Sequence, residues 1–184
     1  PQPDAEFVRE ELEAGVRQGL YSRGTSAWGS WAFPTKADPA GGGRRRRTVV
    51  DYRMVNRRLV LFTYHIRRTS DVKADLAGSA YISSMDGARG FNLLRNSDEA
   101  KQVLAVIAAS GIYLPEVLQL GPTSGPFDFQ YVTDTLFHSG GRGRYLRLWP
   151  NYIDDFWVRS GRWHRGAALT DAEYDALMDS ARSK

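Results

Sequence analysis

An α+β chain is predicted by three observations. Val8, Leu12 and Val16 recur at helical spacing near the N-terminus. β-rich runs separated by Gly- and Pro-rich turns fill most of the middle of the chain. Thr170 and Glu173 stand as a capping box before Leu177, Met178 and Ala181, which marks a helix close to the C-terminus. The 184 residues suffice for one domain or a little more, and 42% hydrophobic with 25% charged residues is ordinary for a globular protein.

Several classes are set aside by composition. There are no cysteines, so disulfides and thiolate metal sites are excluded and a reducing, cytoplasmic setting is expected. Three histidines without ligand spacing argue against a His-based zinc site. No apolar run approaches the ~18 residues of a transmembrane helix, and the N-terminal segment lacks a signal-peptide core, so no membrane partner is expected. Net charge is only +4, yet it is unevenly placed. Arginines stand at 44, 45, 46, 47, 53, 57, 58, 67 and 68 against the single acid Asp51 in that segment, interleaved with Tyr52, Phe62 and Tyr64. A short arginine run alone is commonly a solvated face; this density favours a polyanion such as nucleic acid.

In chain order, Asp4 to Leu20 reads as a helix ended by Gly19 and Gly24. Trp31 to Pro34 and Thr48 to Arg53 read as the two arms of a hairpin whose Gly- and Arg-rich tip lies between them. Asp71 to Leu76 suggests a short helix capped by Ser70. Tyr81 to Asp86 alternates as a strand that delivers Asp86 at its end, and a turn from Gly87 leads into a short helix at Phe91. Gln102 to Ala109 is ambiguous by periodicity; its β-branched content and Gly111 favour a strand, partnered by an edge strand over Tyr113 to Leu120 that carries Pro115. A loop over Gly121 to Pro126 feeds a helix through Phe137, with Phe129, Val132, Leu136 and Phe137 on one face.

The chemistry centres on the run from Leu148 to Val158, two β-rich arms with Asp154 and Asp155 at the apex. Adjacent carboxylates repel and are costly to desolvate, and Mg²⁺, which takes oxygen ligands, compensates them well. A polar Asp-Asp surface turn is the plain alternative, as a turn aspartate is for Asp86. If Asp86 and the apex pair sit on neighbouring strands, three carboxylates can hold two cations and support phosphoryl transfer.

These residues carry a resemblance. Tyr152-Ile153-Asp154-Asp155 is similar to the YxDD box of reverse transcriptases from LTR retrotransposons of the gypsy-like and retroviral branch. Arg47 with Val50-Asp51-Tyr52-Arg53 and Asn56 resembles their R-x-x-V-D-Y-R-x-L-N block. Met85-Asp86 through Gly90-Phe91 resembles the LDLxxGY/F segment. Gly111-Ile112-Tyr113, Leu120-Gly121, Gly125-Pro126 and Phe129-Gln130 resemble the run that follows it, and Ala27 to Lys36 resembles the stretch ahead of the basic hairpin. Departures include the longer Gly-Arg tip, Gly125 in place of an alanine and Pro150-Asn151 before the box.

The resemblance implies a right-hand polymerase fold of fingers and palm, with a fingers β-hairpin and an antiparallel palm sheet backed by helices. Residues 1–84 would be mainly fingers and 85–160 mainly palm, with the strands of 101–120 returning to the fingers. Residues 161–184 would form a tail helix leading toward a further C-terminal part. It implies RNA-directed DNA polymerase activity by two-metal nucleotidyl transfer with two Mg²⁺ ions, or Mn²⁺ as substitute. Asp86, Asp154 and Asp155 would be the ligands, helped by the Gly87 carbonyl. Lys36 and Arg47 would hold the dNTP triphosphate, Phe91 would exclude a 2′-hydroxyl, and Leu120 and Gly121 would line the nucleotide pocket. Tyr152, Ile153, Arg44, Arg45, Arg46 and Arg53 would face the primer and an RNA or DNA template. RNase H and integrase segments of a polyprotein would be further partners, with virus-like particles one setting. Phe91 could equally be core packing. An RNA-dependent RNA polymerase palm and a non-catalytic nucleic-acid-binding module are the competing readings; a bulky Phe91 weighs against the first.

Overall fold

The computed structural model describes residues 2–36, 46–138, 151–164 and 167–182. In chain order these form helix α1 (Gln2–Arg17), strands β1 (Tyr21–Arg23), β2 (Ser30–Pro34) and β3 (Thr48–Val50), and helices α2 (Arg53–Asn56) and α3 (Thr69–Leu76). Strand β4 (Ser79–Asp86), a 3₁₀ turn (Gly90–Leu93), helix α4 (Asp98–Val103), strands β5 (Val106–Ala108) and β6 (Gly111–Pro115) and helix α5 (Gly125–His138) follow. Strands β7 (Asn151–Tyr152), β8 (Asp155–His164) and β9 (Ala167–Leu169) and helix α6 (Asp171–Arg182) complete the order. The expected tip of the basic hairpin, with Arg44 and Arg45, lies outside the described residues, as do Leu148, Trp149 and Pro150.

The chain divides into two compact units, Pro1–Phe62 with Arg89–Gly125, and Thr63–Ala88 with Pro126–Lys184. Residues 63–88 thus cluster with the acid hairpin, and residues 89–125 cluster with the N-terminal segment.

In the first unit, five strands run in the order β1-β6-β5-β2-β3, antiparallel except for the parallel β2–β5 pair that sets Ser30 against Val106. The helical stripe of α1 explains the core. Val8 and Leu12 pack on Val106, Ala108 and Tyr113, with Val16, Tyr21 and Ala32 around them. Full burial of such aliphatic side chains contributes roughly 1.5–3 kcal/mol each. A second cluster gathers Tyr52, Val55 and Leu104, and the Tyr52 hydroxyl donates to the Leu104 carbonyl at 3.0 Å.

Three expectations are corrected here. The arm expected through Arg53 stops at Val50, because the Asp51 carboxylate accepts from the Arg53 amide at 3.1 Å and starts α2. Gln102 and Val103 finish α4 rather than a strand, since Ser97 caps that helix by accepting from the Ala100 amide. Strand β6 lies between β1 and β5 rather than at an edge; Pro115 is tolerated because it is the last residue of the strand.

In the second unit, β8 is the spine of an antiparallel sheet. β4 lies along one edge, and β7 and β9 share the other. The ladder between β4 and β8 runs from Ser79↔Arg162 to Asp86↔Asp155. The expected capping box of α6 is present, with Thr170 Oγ1 accepting from the Glu173 amide at 3.2 Å and Glu173 accepting from the Thr170 amide at 2.8 Å. Ser70 is not the cap of α3: the helix starts at Thr69, and Asp71 reaches back to the Arg68 amide at 3.2 Å. The buried face of α5 also differs from expectation, holding Phe129, Gln130, Thr133 and Asp134 while Leu136 is exposed. The strand pair β8–β9 beyond Ser160 was not foreseen. Its key position is Gly161, at φ +65° with the Leu169 carbonyl 2.6 Å from where a Cβ would sit. Gly161→Ala is expected to cost about 1–3 kcal/mol, read as a lowered thermal midpoint of this sheet. An unshifted midpoint would contradict that reading.

Candidate active site

Asp86 is the last residue of β4 and stands directly opposite Asp155, the first residue of β8. Opposed residues in an antiparallel pair have Cβ atoms about 4.5–5.5 Å apart, and like charges there repel. One position further along, the Gly87 amide donates to the Asp154 carbonyl at 2.8 Å. A Cβ on Gly87 would lie 3.3 Å from that carbonyl and 3.5 Å from the Phe156 ring, so the missing side chain permits this close approach. The register thus sets Asp86 beside the hairpin of the adjacent acids Asp154 and Asp155, 68 residues further along the chain. Asp86 and Asp155 are exposed and Asp154 is half-buried. Among the described residues, no three carboxylate or imidazole groups are gathered closely enough to hold a metal ion. The donor set itself, all oxygen and all from one end of the sheet, suits Mg²⁺ or Mn²⁺ rather than a softer metal.

Tyr152 pairs with Asp155, which leaves Ile153 and Asp154 as a two-residue turn. Ile153 has φ +56°, while Asp154 does not share the positive sign, a pattern that fits a type II′ turn. A β-branched residue in this region is strained by roughly 1–3 kcal/mol. Compensation comes from α5. The fully buried Gln130 accepts from the Ile153 amide at 2.8 Å, and Asn151 Nδ2 donates to Thr133 Oγ1 at 3.1 Å. Sequence reasoning placed Gln130 inside a motif but gave it no role, because nothing in a helical pattern reveals which loop a glutamine will meet.

In the first unit, Lys36 and Arg47 are exposed, and the Thr35 amide donates to the Arg47 carbonyl at 2.7 Å, so the β2–β3 register sets Thr35 rather than Lys36 opposite Arg47. Arg46 and Arg53, expected to face the primer and template, also make bonds within the chain. Arg46 pairs with Asp4 and lies 4.7 Å over the Phe7 ring. Arg53 grips Asp51 through Nε at 2.7 Å and Nη2 at 2.6 Å, and these bonds hold the Asp51 carboxyl at about 2. Asp51 itself is thus spent on turning the chain.

Phe91 sits half-buried in the 3₁₀ turn. Gly125 explains one departure from the motif: a Cβ there would touch the Phe91 ring at 3.4 Å, so glycine leaves extra room behind it. Leu120 is 74% exposed, free to line a pocket, and Gly121 has φ +118° with Tyr52 3.0 Å from a would-be Cβ. Asn56 fastens this loop by donating to the Gly121 carbonyl at 2.9 Å and accepting from the Thr123 amide at 3.0 Å. Asn56→Ala is expected to cost about 1–3 kcal/mol and to speed amide exchange at Thr123; unchanged exchange would remove the clamp from the account. Among the described residues, no helix is long and apolar enough to cross a membrane.

An α+β chain whose sheet end carries Asp86, Asp154 and Asp155 on a strand and an adjoining tight hairpin has the fold of the retroviral reverse transcriptases. The foamy viral protease–reverse transcriptase in complex with an RNA/DNA hybrid superimposes with a TM-score of 0.68 at 18% identity, covering 96% of this chain and 21% of that one. Curated relatives include retrovirus-related Pol polyproteins from transposons and the putative enzymatic polyprotein of Cassava vein mosaic virus. The chain is 28% identical over 125 residues to the retrovirus-related Pol polyprotein from transposon 297 of Drosophila melanogaster, a match over 67% of this chain. It is 22% identical over 139 residues to that from transposon 412 of the same organism, a match over 74% of this chain. The matched regions amount to 12% and 11% of those polyproteins. No family model matches the chain.

Proposed function

We propose that this chain is the nucleotide-adding core of an RNA-directed DNA polymerase. The observation that carries the reading is the register of the β4–β8 ladder, which sets Asp86 opposite Asp155 and the Gly87 amide on the Asp154 carbonyl. The retroelement relatives and the reverse-transcriptase fold support it. Asp86, Asp154, Asp155 and the Gly87 carbonyl are the groups that would hold divalent cations. Bound there, such ions supply charge neutralisation at the primer 3′-hydroxyl and at the departing pyrophosphate. The protein's own part is positioning. Lys36 and Arg47 would engage the dNTP triphosphate, Arg47 as a planar fork and Lys36 as a compact charge. Phe91 would bar a 2′-hydroxyl, and Leu120 and Gly121 would line the nucleotide pocket. Tyr152 and Ile153 would meet the primer end, with Arg44 and Arg45 on the template–primer backbone.

A second reading, a nucleic-acid-binding module without catalysis, rests on the arginine density of residues 44–68, which suits a polyanion whether or not the acids hold a metal. One experiment separates the readings. Primer extension is measured on an RNA template with Mg²⁺ and either dNTPs or rNTPs, beside Asp154→Asn. Extension with dNTPs that the substitution removes supports the polymerase, and extension that survives it contradicts the assigned acids. Preference for rNTPs points to an RNA polymerase. Salt-sensitive binding without any extension favours the binding module.

A further inference from the structure

We infer that Asp134, together with Tyr64, is a positioning residue that fixes which way round the Gln130 amide sits and so holds the turn bearing Asp154 and Asp155. The inference rests on the polymerase reading only for its consequence in catalysis. Its geometry lies wholly within the second unit.

Gln130 is fully buried and Asp134 is 6% exposed, one helical turn further along α5. Gln130 Nε2 donates to Asp134 Oδ1 at 2.8 Å, and the Tyr64 hydroxyl donates to Asp134 Oδ2 at 2.9 Å. The two ends of a glutamine amide are nearly the same shape, so shape cannot choose between them. An ionised carboxylate only accepts, so it requires the NH₂ end. The carbonyl end is then left facing the Ile153 amide, from which it accepts at 2.8 Å. With the amide reversed, a donor would face a donor at the one residue of the turn held at φ +56°. The Thr133 hydroxyl donates to the Gln130 main-chain carbonyl at 3.0 Å and accepts from Asn151, so α5 grips the hairpin on both sides of Tyr152. The ring of Tyr64 meets Tyr131 edge-on, with centroids 5.4 Å apart, which places the hydroxyl donor.

The test exchanges the chemistry along the chain of bonds and reads the turn directly, by amide hydrogen exchange of the 184-residue chain without metal, nucleotide or nucleic acid. Gln130→Glu sets two carboxylates against each other and is expected to speed exchange at the Ile153 amide about tenfold or more. Adding Asp134→Asn turns a donor toward the new carboxylate at position 130, whose other oxygen then faces the Ile153 amide as an acceptor. The double variant should bring exchange back to within about twofold of the parent. A double variant no better than the single one would overturn the inference. So would acceleration spread evenly over β4 and β8, since that marks general loosening rather than loss of one orientation. Because no catalysis is measured, an inactive polymerase would leave this result standing, and a failed rescue would leave the polymerase reading to its own test.

Discussion

Substituting Asp154→Asn is expected to lower Mg²⁺-dependent primer extension on the order of 10³-fold, or about 4 kcal/mol of transition-state stabilisation. The replacement keeps size and shape and removes one negative charge. The Asp154 main-chain carbonyl still accepts from Gly87, so the hairpin register survives. The thermal midpoint and the affinity for primer–template should therefore stay close to the parent while turnover collapses. Asp86→Asn is expected to behave alike, since Asp86 faces Asp155 across the same ladder. Equal loss of folding and activity would reduce Asp154 to a structural turn residue, and undiminished extension would remove it from the chemistry.

Replacing Arg44 and Arg45 together by alanine is the second large effect. Each arginine that meets a phosphate displaces condensed counterions, so the slope of log K against log salt should become shallower by about one per arginine lost. Arg46→Ala and Arg53→Ala serve as contrasts. Their guanidinium groups are engaged with Asp4, Phe7 and Asp51, so each should alter the slope by less than one, and the loss of the exposed Arg53–Asp51 pair should move the thermal midpoint little. The Arg53–Asp51 pair persists across ordinary pH. The Asp51 carboxyl is held at about 2 by its bonds to Arg53, so the pair is kept above that pH and given up only as acid protonates Asp51. A salt slope indifferent to the double substitution would take the basic run away from the nucleic-acid surface.

Much of the fold was legible because its signals are local. The stripe of α1, the alternation of β4 and the capping box of α6 are periodicities or short-range bonds that a chain carries in its own order. Where the reading failed, a local signal was overruled by one that is silent in the sequence. Gln102 and Val103 look strand-like until Ser97 caps the turn before them, and Pro115 argues for an edge until it proves to be the last residue of an inner strand. The face of α5 was misjudged for a deeper reason. A buried polar face is stable only when each group finds a partner, and the partners of Gln130 and Asp134 lie in other elements.

The sequence by itself determined the identity and spacing of the acids, the concentration of arginine and the helices and strands with local signals, such as α1, β4 and α6. Those follow from residue chemistry and from bonds that reach only a few positions along the chain. Only the tertiary structure decided that Asp86 meets Asp155 rather than another residue, that Arg46 pairs with Asp4 and lies over Phe7, and that Gln130 supports the strained turn at Ile153. Register and burial are properties of pairs brought together from distant segments. A one-residue slip of β8 would move Asp155 to the other face of the sheet without changing a letter of the sequence.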